Sequence, residues 1–108
     1  MLSSFARGHL PSASGAPPVG ERTEEIARVG DVVVEHILSG ELESPVDYDQ
    51  DHEEWVVVLD GRAVVEVGGH RLNMTGGDWL SLPAHVPHRL IDTEPGTSWL
   101  ALHARPPA

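Results

Sequence analysis

The sequence predicts an all-β domain, and three observations carry that prediction. Valine and its apolar companions fall in short clusters rather than in long helical runs. Turn formers are abundant, with 11 Gly and 9 Pro in 108 residues. The clusters recur at close, regular spacing with turn residues between them, the rhythm of a closed or sandwiched antiparallel sheet. At this length the chain is one domain, large enough to bury a core and too small for two.

Residues 1–22 are rich in Ser, Pro and Gly and read as a flexible N-terminal arm, with the folded domain over residues 23–108. Thr23 to Val29 suits a short helix, with Thr23 as N-cap and Glu24 and Glu25 in the first turn, or equally an extended lead-in. Val32 to Leu38 is a strand closed by Ser39-Gly40. Glu54 to Leu59 is another, and Asp60-Gly61 is a two-residue hairpin signal before Arg62 to Val67. Gly68-Gly69 turns the chain into His70 to Met74, and Gly76-Gly77-Asp78 turns it into Trp79 to Leu82, which Pro83 ends. His88 to Asp92 and Ser98 to His103 complete the set around a Glu94-Pro95-Gly96 turn.

Charge and composition exclude several classes of function. The formal net charge is -10, from 17 acidic side chains against 7 basic ones, all of them Arg. Such a surface repels phosphate backbones and anionic lipid, so neither nucleic acid nor a membrane is an expected partner. The chain has no Cys, hence no disulfide framework and no thiolate chemistry. No stretch approaches the roughly 18 apolar residues of a membrane span, and Met1 to Leu10 lacks a secretory pattern. A cytoplasmic location is the expectation. No Ser sits in a strained elbow, so nothing suggests a nucleophilic triad.

Two segments resemble the paired motifs of the cupins. Asp51-His52-Glu53-Glu54-Trp55-Val56-Val57-Val58-Leu59-Asp60-Gly61 is similar to the first, in which a Glu precedes a Gly by seven positions, as Glu54 precedes Gly61. Gly77 to His88 is similar to the second, with His85 where Gly is usual. A narrower likeness is to a group of small cupins, through Tyr48-Asp49-Gln50, Glu54-Trp55-Val56, Pro83-Ala84-His85 with His88-Arg89, and Trp99-Leu100-Ala101-Leu102-His103. The resemblance covers roughly Asp47 to His103. It implies a double-stranded β-barrel, or jelly roll, whose mouth holds the site.

In metal-binding cupins the first motif supplies a His-x-His pair and a Glu, and the second supplies a third His. By that resemblance Glu54 and His88 stand at ligand positions, while Tyr48 and Gln50 replace the two histidines. A divalent metal (Mn, Fe, Ni or Zn) is therefore expected only as one of two outcomes. Residues two apart share a face of a strand, so Tyr48, Gln50, His52 and Glu54 face the same side if the strand is regular there. The candidate ligands are Glu54, His88, Gln50, His52 and His85, with His103 a further conceivable donor; Tyr48 and His88 are the candidate catalytic groups. Each has a plainer structural reading beside it: a solvated rim carboxylate for Glu54, a hydrogen-bonding role at the mouth for His88, an acidic surface loop for His52, a turn position for His85.

Trp55, Val57 and Leu59 alternate with Glu54, Val56 and Val58, so this strand is apolar on both faces and predicts cover on both. The N-terminal segment or a second copy of the chain would provide it, and a homodimer is the expectation. Trp79 and Trp99 read as ordinary core aromatics. The functions that fit are a metal-dependent enzyme of isomerase, lyase or oxygenase type acting on a small organic or sugar-like molecule, a metal-free cupin that binds or senses such a ligand, and a metal-free acid/base catalyst using His88 oriented by Glu54.

Overall fold

Nine strands and one short 3-10 turn, Ala13–Gly15, make up the computed structural model, which describes residues 4–104. The strands are β1 (Glu21–Val29), β2 (Val32–Ser39), β3 (Val46–Tyr48), β4 (Glu54–Asp60), β5 (Arg62–Val67), β6 (His70–Thr75), β7 (Trp79–Leu82), β8 (His88–Thr93) and β9 (Thr97–Ala104). They form two sheets, ordered β1-β2-β9-β4-β7 and β3-β8-β5-β6, with every pairing antiparallel. The expected all-β jelly roll is the observed architecture. No helix among the described residues is long and apolar enough to cross a membrane.

Alternation within each strand builds the core. Val56 and Val58 of β4 point inward with Ala63 and Val65 of β5, Met74 of β6, Leu82 of β7, Leu90 of β8 and Trp99 and Ala101 of β9. These side chains from two sheets fill the space between them, as in any face-to-face sheet packing. Glu54 shares the inward parity of Val56, so β4 delivers one carboxylate to the end of an otherwise apolar interior.

Of the two readings of Thr23 to Val29 the extended one holds, and two expectations change, at Asp60-Gly61 and at Trp79. Thr23 to Val29 is extended within β1, paired with β2 from Glu21↔Ser39 to Val29↔Val32 around a bulge at Ile26. A single helical turn there would leave the edge of β2 unpaired, and a glutamate-rich edge strand is itself protection against further pairing. Glu21 and Arg22 lie in β1, and Pro18 and Gly20 hydrogen-bond to the backbone of Gly40 and Glu41. Residues 1–3 and 105–108 lie outside the described residues.

Asp60-Gly61 does not close a hairpin, because β4 and β5 belong to different sheets. Gly61 has φ 94°, and a Cβ there would stand 2.5 Å from the Thr97 hydroxyl. That hydroxyl accepts a hydrogen bond from the Arg62 N–H at 3.1 Å, so the glycine turns a corner between sheets against β9. The Gly68-Gly69 turn, with φ 55° and 80°, does join the paired strands β5 and β6.

Trp99 is buried as expected, at 5% exposure, whereas Trp79 is 58% exposed. Trp79 lies on the outer face of the edge strand β7, its ring centroid 5.9 Å from that of Trp55. Trp55 and Val57 are half-buried and Leu59 is exposed on the same outer face. The N-terminal segment covers a different part of this sheet: the Ala13–Gly15 turn sits against Leu38, which is 1% exposed.

Candidate functional site

The inward faces of both sheets converge on a cavity of about 150 Å³. Its walls are apolar, from Ile37, Val56, Val65, Leu80, Leu82, Leu90 and Trp99. Polar groups gather among them: Glu21, Glu35, Tyr48, Gln50, Glu54, His88 and His103. An apolar pocket holding a few convergent polar groups is the usual form of a small-molecule site.

Strand register places each of these groups. Tyr48 of β3 and His88 of β8 are direct cross-strand partners, so their rings stack with centroids 5.2 Å apart and planes 13° from parallel. Glu54 of β4 lies opposite His103 of β9, and Glu35 of β2 lies diagonal to it, opposite Ala101. His103 Nε2 therefore stands 3.4 Å from a Glu35 oxygen and 3.7 Å from a Glu54 oxygen. Across the sandwich, His88 Nε2 is 3.9 Å from the other Glu54 oxygen.

His88 Nδ1–H donates to the Val86 carbonyl at 3.1 Å, which leaves Nε2 of the neutral ring as an acceptor. Nε2 and the Glu54 carboxylate are then two acceptors facing across a gap too long for a hydrogen bond. Both side chains are only 10% exposed. Among the described residues, the Glu54 carboxylate has no partner within hydrogen-bonding distance, its nearest being the imidazoles at 3.7 and 3.9 Å. Burial pushes its pKa above the ordinary glutamate range, against the pull of His103, His88 and His52.

Tyr48 donates its hydroxyl to Glu21 at 3.3 Å. Burial, with the carboxylates of Glu21, Glu54 and Glu35 nearby, pushes the phenol up to about 12. It is thus a hydrogen-bond donor at neutral pH. Glu21 is held from its other oxygen by the Ser39 hydroxyl at 2.7 Å, and Ser39 accepts from the Trp99 indole at 3.0 Å.

Of the residues singled out from sequence, Tyr48, Gln50, Glu54 and His88 line the cavity together. His52 stands one step behind it: the chain leaves strand conformation after Tyr48, and His52 Nε2 lies 2.9 Å from His103 Nδ1, with its own Nδ1 3.2 Å from Asp51. His85 is on the outer rim, its side chain 71% exposed and 3.3 Å from Asp49. It adopts φ 61°, the left-handed conformation that explains why this motif position ordinarily carries Gly. His103 enters the cavity on the parity of Trp99 and Ala101.

Glu21 and Glu35 escaped the sequence reading. Glu21 fell within the expected arm, and Glu35 was passed over inside an apolar strand, although a lone carboxylate between Val34 and His36 is itself a signal. As for a metal, the donor chemistry of Glu54, His88 and His103 is suitable, but among the described residues no three His, Asp or Glu groups converge closely enough to hold one. Tyr48, standing at one of the two missing histidine positions, is committed to Glu21 and to stacking on His88.

A two-sheet jelly roll with polar groups gathered in a cavity of its apolar interior is the form of the cupin class. The chain belongs to the cupin family, whose domain description matches residues 33–102. Among solved structures it is similar to a candidate mannose-6-phosphate isomerase from Ralstonia eutropha JMP134, at 34% identity over 91% of this chain and 99% of that one, with a TM-score of 0.74. KdgF from Halomonas sp. aligns at 18% identity over 82% of each chain, TM-score 0.69. An RmlC-like cupin from Shewanella frigidimarina NCIMB 400 aligns at 17% identity over 91% of each, TM-score 0.70. The last two likenesses are of fold alone. No curated protein matches the chain.

Proposed function

We propose that this cupin binds a small, sugar-like organic molecule in its cavity, with Glu54 and His88 as the groups that grip it and exchange protons with it. One observation carries the reading: the Glu54 carboxylate and His88 Nε2 face one another across 3.9 Å in an apolar-walled cavity, their side chains only 10% exposed, and among the described residues these atoms have no protein hydrogen-bond partner and are left open to the cavity. Buried polar groups are normally satisfied. A ligand hydroxyl between them would donate to the Glu54 carboxylate and, when the His88 ring is protonated, accept from its Nε2–H. A carboxyl whose pKa is raised beside an imidazole is also suited to general acid/base work on a bound hydroxyl or carbonyl compound. The likeness to a candidate sugar-phosphate isomerase at 34% identity supports a sugar-like ligand class.

The experiment is a panel of aldoses, ketoses and polyols screened by thermal unfolding and calorimetry, with elemental analysis of the same untagged protein. A compound that stabilises the wild type, and no longer does so in both His88→Ala and Glu54→Gln, supports the reading. A stoichiometric Mn, Fe, Ni or Zn ion that disappears in His88→Ala would replace it with the metal-centred alternative. Ligand binding undisturbed by either substitution would remove these two residues from the site.

A further inference from the structure

The cavity carries more negative charge than its histidines can balance. Three carboxylates line it, Glu21, Glu35 and Glu54, against two imidazoles, His88 and His103. Even with both rings protonated, one carboxylate charge is left over. Its location is legible in the contacts: Glu35 and Glu54 face His103, and Glu54 also faces His88, whereas Glu21 is held only by the neutral hydroxyls of Ser39 and Tyr48. Among the described residues no Arg lines the cavity, and the chain has no Lys at all. Arg89, at the rim, is engaged by both oxygens of Asp47, at 2.6 and 3.2 Å.

The charge excess is not merely a solvated acidic surface. The Glu54 side chain is only 10% exposed and, among the described residues, has no hydrogen-bond partner, while the non-histidine donors that line the cavity with it, Thr23, Tyr48 and Gln50, are all neutral. Glu21 is fixed in place by the chain from the Trp99 indole through Ser39, which pre-orients its carboxylate. Burial first, and then the same three carboxylates, push the phenol of Tyr48 upward.

Resting on the sugar-like reading above, we propose that Glu21 is the anchor for a protonated amine, and that the cavity takes a small amino alcohol or amino sugar while rejecting phosphorylated and carboxylated sugars. An ammonium group brings the missing positive charge together with three N–H donors. A phosphate would enter among three carboxylates with no cation to receive it. Size agrees with a small head group, since a cavity of about 150 Å³ accommodates a molecule the size of benzene, with any remainder of the ligand extending through the mouth.

The test compares two matched series on the full chain by calorimetry at pH 7: glycerol, 2-amino-1,3-propanediol and glycerol 3-phosphate, then glucose, glucosamine and glucose 6-phosphate. The amine should bind about tenfold or more tighter than its neutral parent, the worth of one charge-assisted hydrogen bond, and the phosphate ester should bind more weakly than the parent. Glu21→Gln should bring the amine-to-neutral ratio close to one, while Glu35→Gln, whose carboxylate is matched by His103, should retain the preference. The wild-type ranking needs no variant, so it decides the matter even if Glu21→Gln fails to fold. Equal affinity for amine and parent, or tighter binding of a phosphate ester, overturns the amine anchor and leaves the sugar-like reading intact. Absence of binding by all six compounds overturns both.

Discussion

Replacing Glu54 by glutamine removes a charge from the cavity while nearly preserving the side chain's shape. The carboxylate is 10% exposed and its nearest imidazoles stand at 3.7 and 3.9 Å. An attraction at about 4 Å with an effective dielectric of about 20 is worth roughly 4 kcal/mol at most, and only when the partner ring is protonated. The desolvation cost of a buried ion is also several kcal/mol. Burial prevails, since it is the first cause of the raised pKa of Glu54. A neutral amide escapes that cost, so Glu54→Gln should stabilise the protein at pH 7 by about 1–2 kcal/mol. For a chain of this size that raises Tm by roughly 4–8 °C.

The pH dependence has a definite sign. A raised folded-state pKa means that the contribution of Glu54 to stability is full below its unfolded value, about 4.3, and is lost as pH rises through the higher folded value. The gain from Glu54→Gln is therefore largest at neutral pH and shrinks toward zero near pH 4. Thermal unfolding followed by circular dichroism at pH 7, 5.5 and 4 measures both quantities. A variant less stable than wild type at pH 7, or a gain that does not change with pH, would refute the argument that an unsatisfied buried charge sits there.

Three further outcomes are expected. Tyr48 is the only Tyr in the chain, so ultraviolet titration should show a single phenol ionising at about 12 in the folded protein and at about 10 after denaturation; its contribution to stability is present below the unfolded value and lost as pH rises through 12, and a folded midpoint near 10 would remove Tyr48 from the buried carboxylate cluster. Gly61→Ala should destabilise by about 2–4 kcal/mol in urea unfolding, because its φ of 94° and the 2.5 Å approach to Thr97 penalise a Cβ twice. For the expected homodimer we propose the outer apolar face around Trp55, Val57 and Trp79 as the surface: Trp79→Glu should then leave a monomer in analytical ultracentrifugation, and a wild-type protein that is monomeric at 100-fold dilution and at high concentration alike would end that expectation.

How much of this was legible beforehand depends on the range of the interaction that decides it. The strands from β4 onward could be read from alternation and turn residues, because those are local properties of the chain. Glu54 and His88 could be picked out because Glu54–Gly61 and Gly77–His88 resemble the two cupin motifs, in which these positions belong to the site. Glu35 carries only the faint signal of a lone carboxylate in an apolar run and Glu21 carries none; they become site residues because the pairing of β1 with β2 and of β2 with β9 turns both toward the cavity.

The hairpin at Asp60-Gly61 failed for the same reason. A two-residue turn signal reports the local bend, but whether the next strand pairs with the last one is settled by which sheet must bury Ala63 and Val65. Trp79 and Trp99 carry similar neighbours in sequence, yet one is 58% exposed and the other 5%, because β7 is an edge strand and β9 runs through the middle of its sheet.

The sequence by itself determined the all-β class, the strand rhythm and the two motif residues at the mouth. Only the tertiary structure decided that three carboxylates meet two imidazoles in one cavity, since charge balance in a pocket is a sum over strands far apart in the chain and is defined only once the sheets have closed.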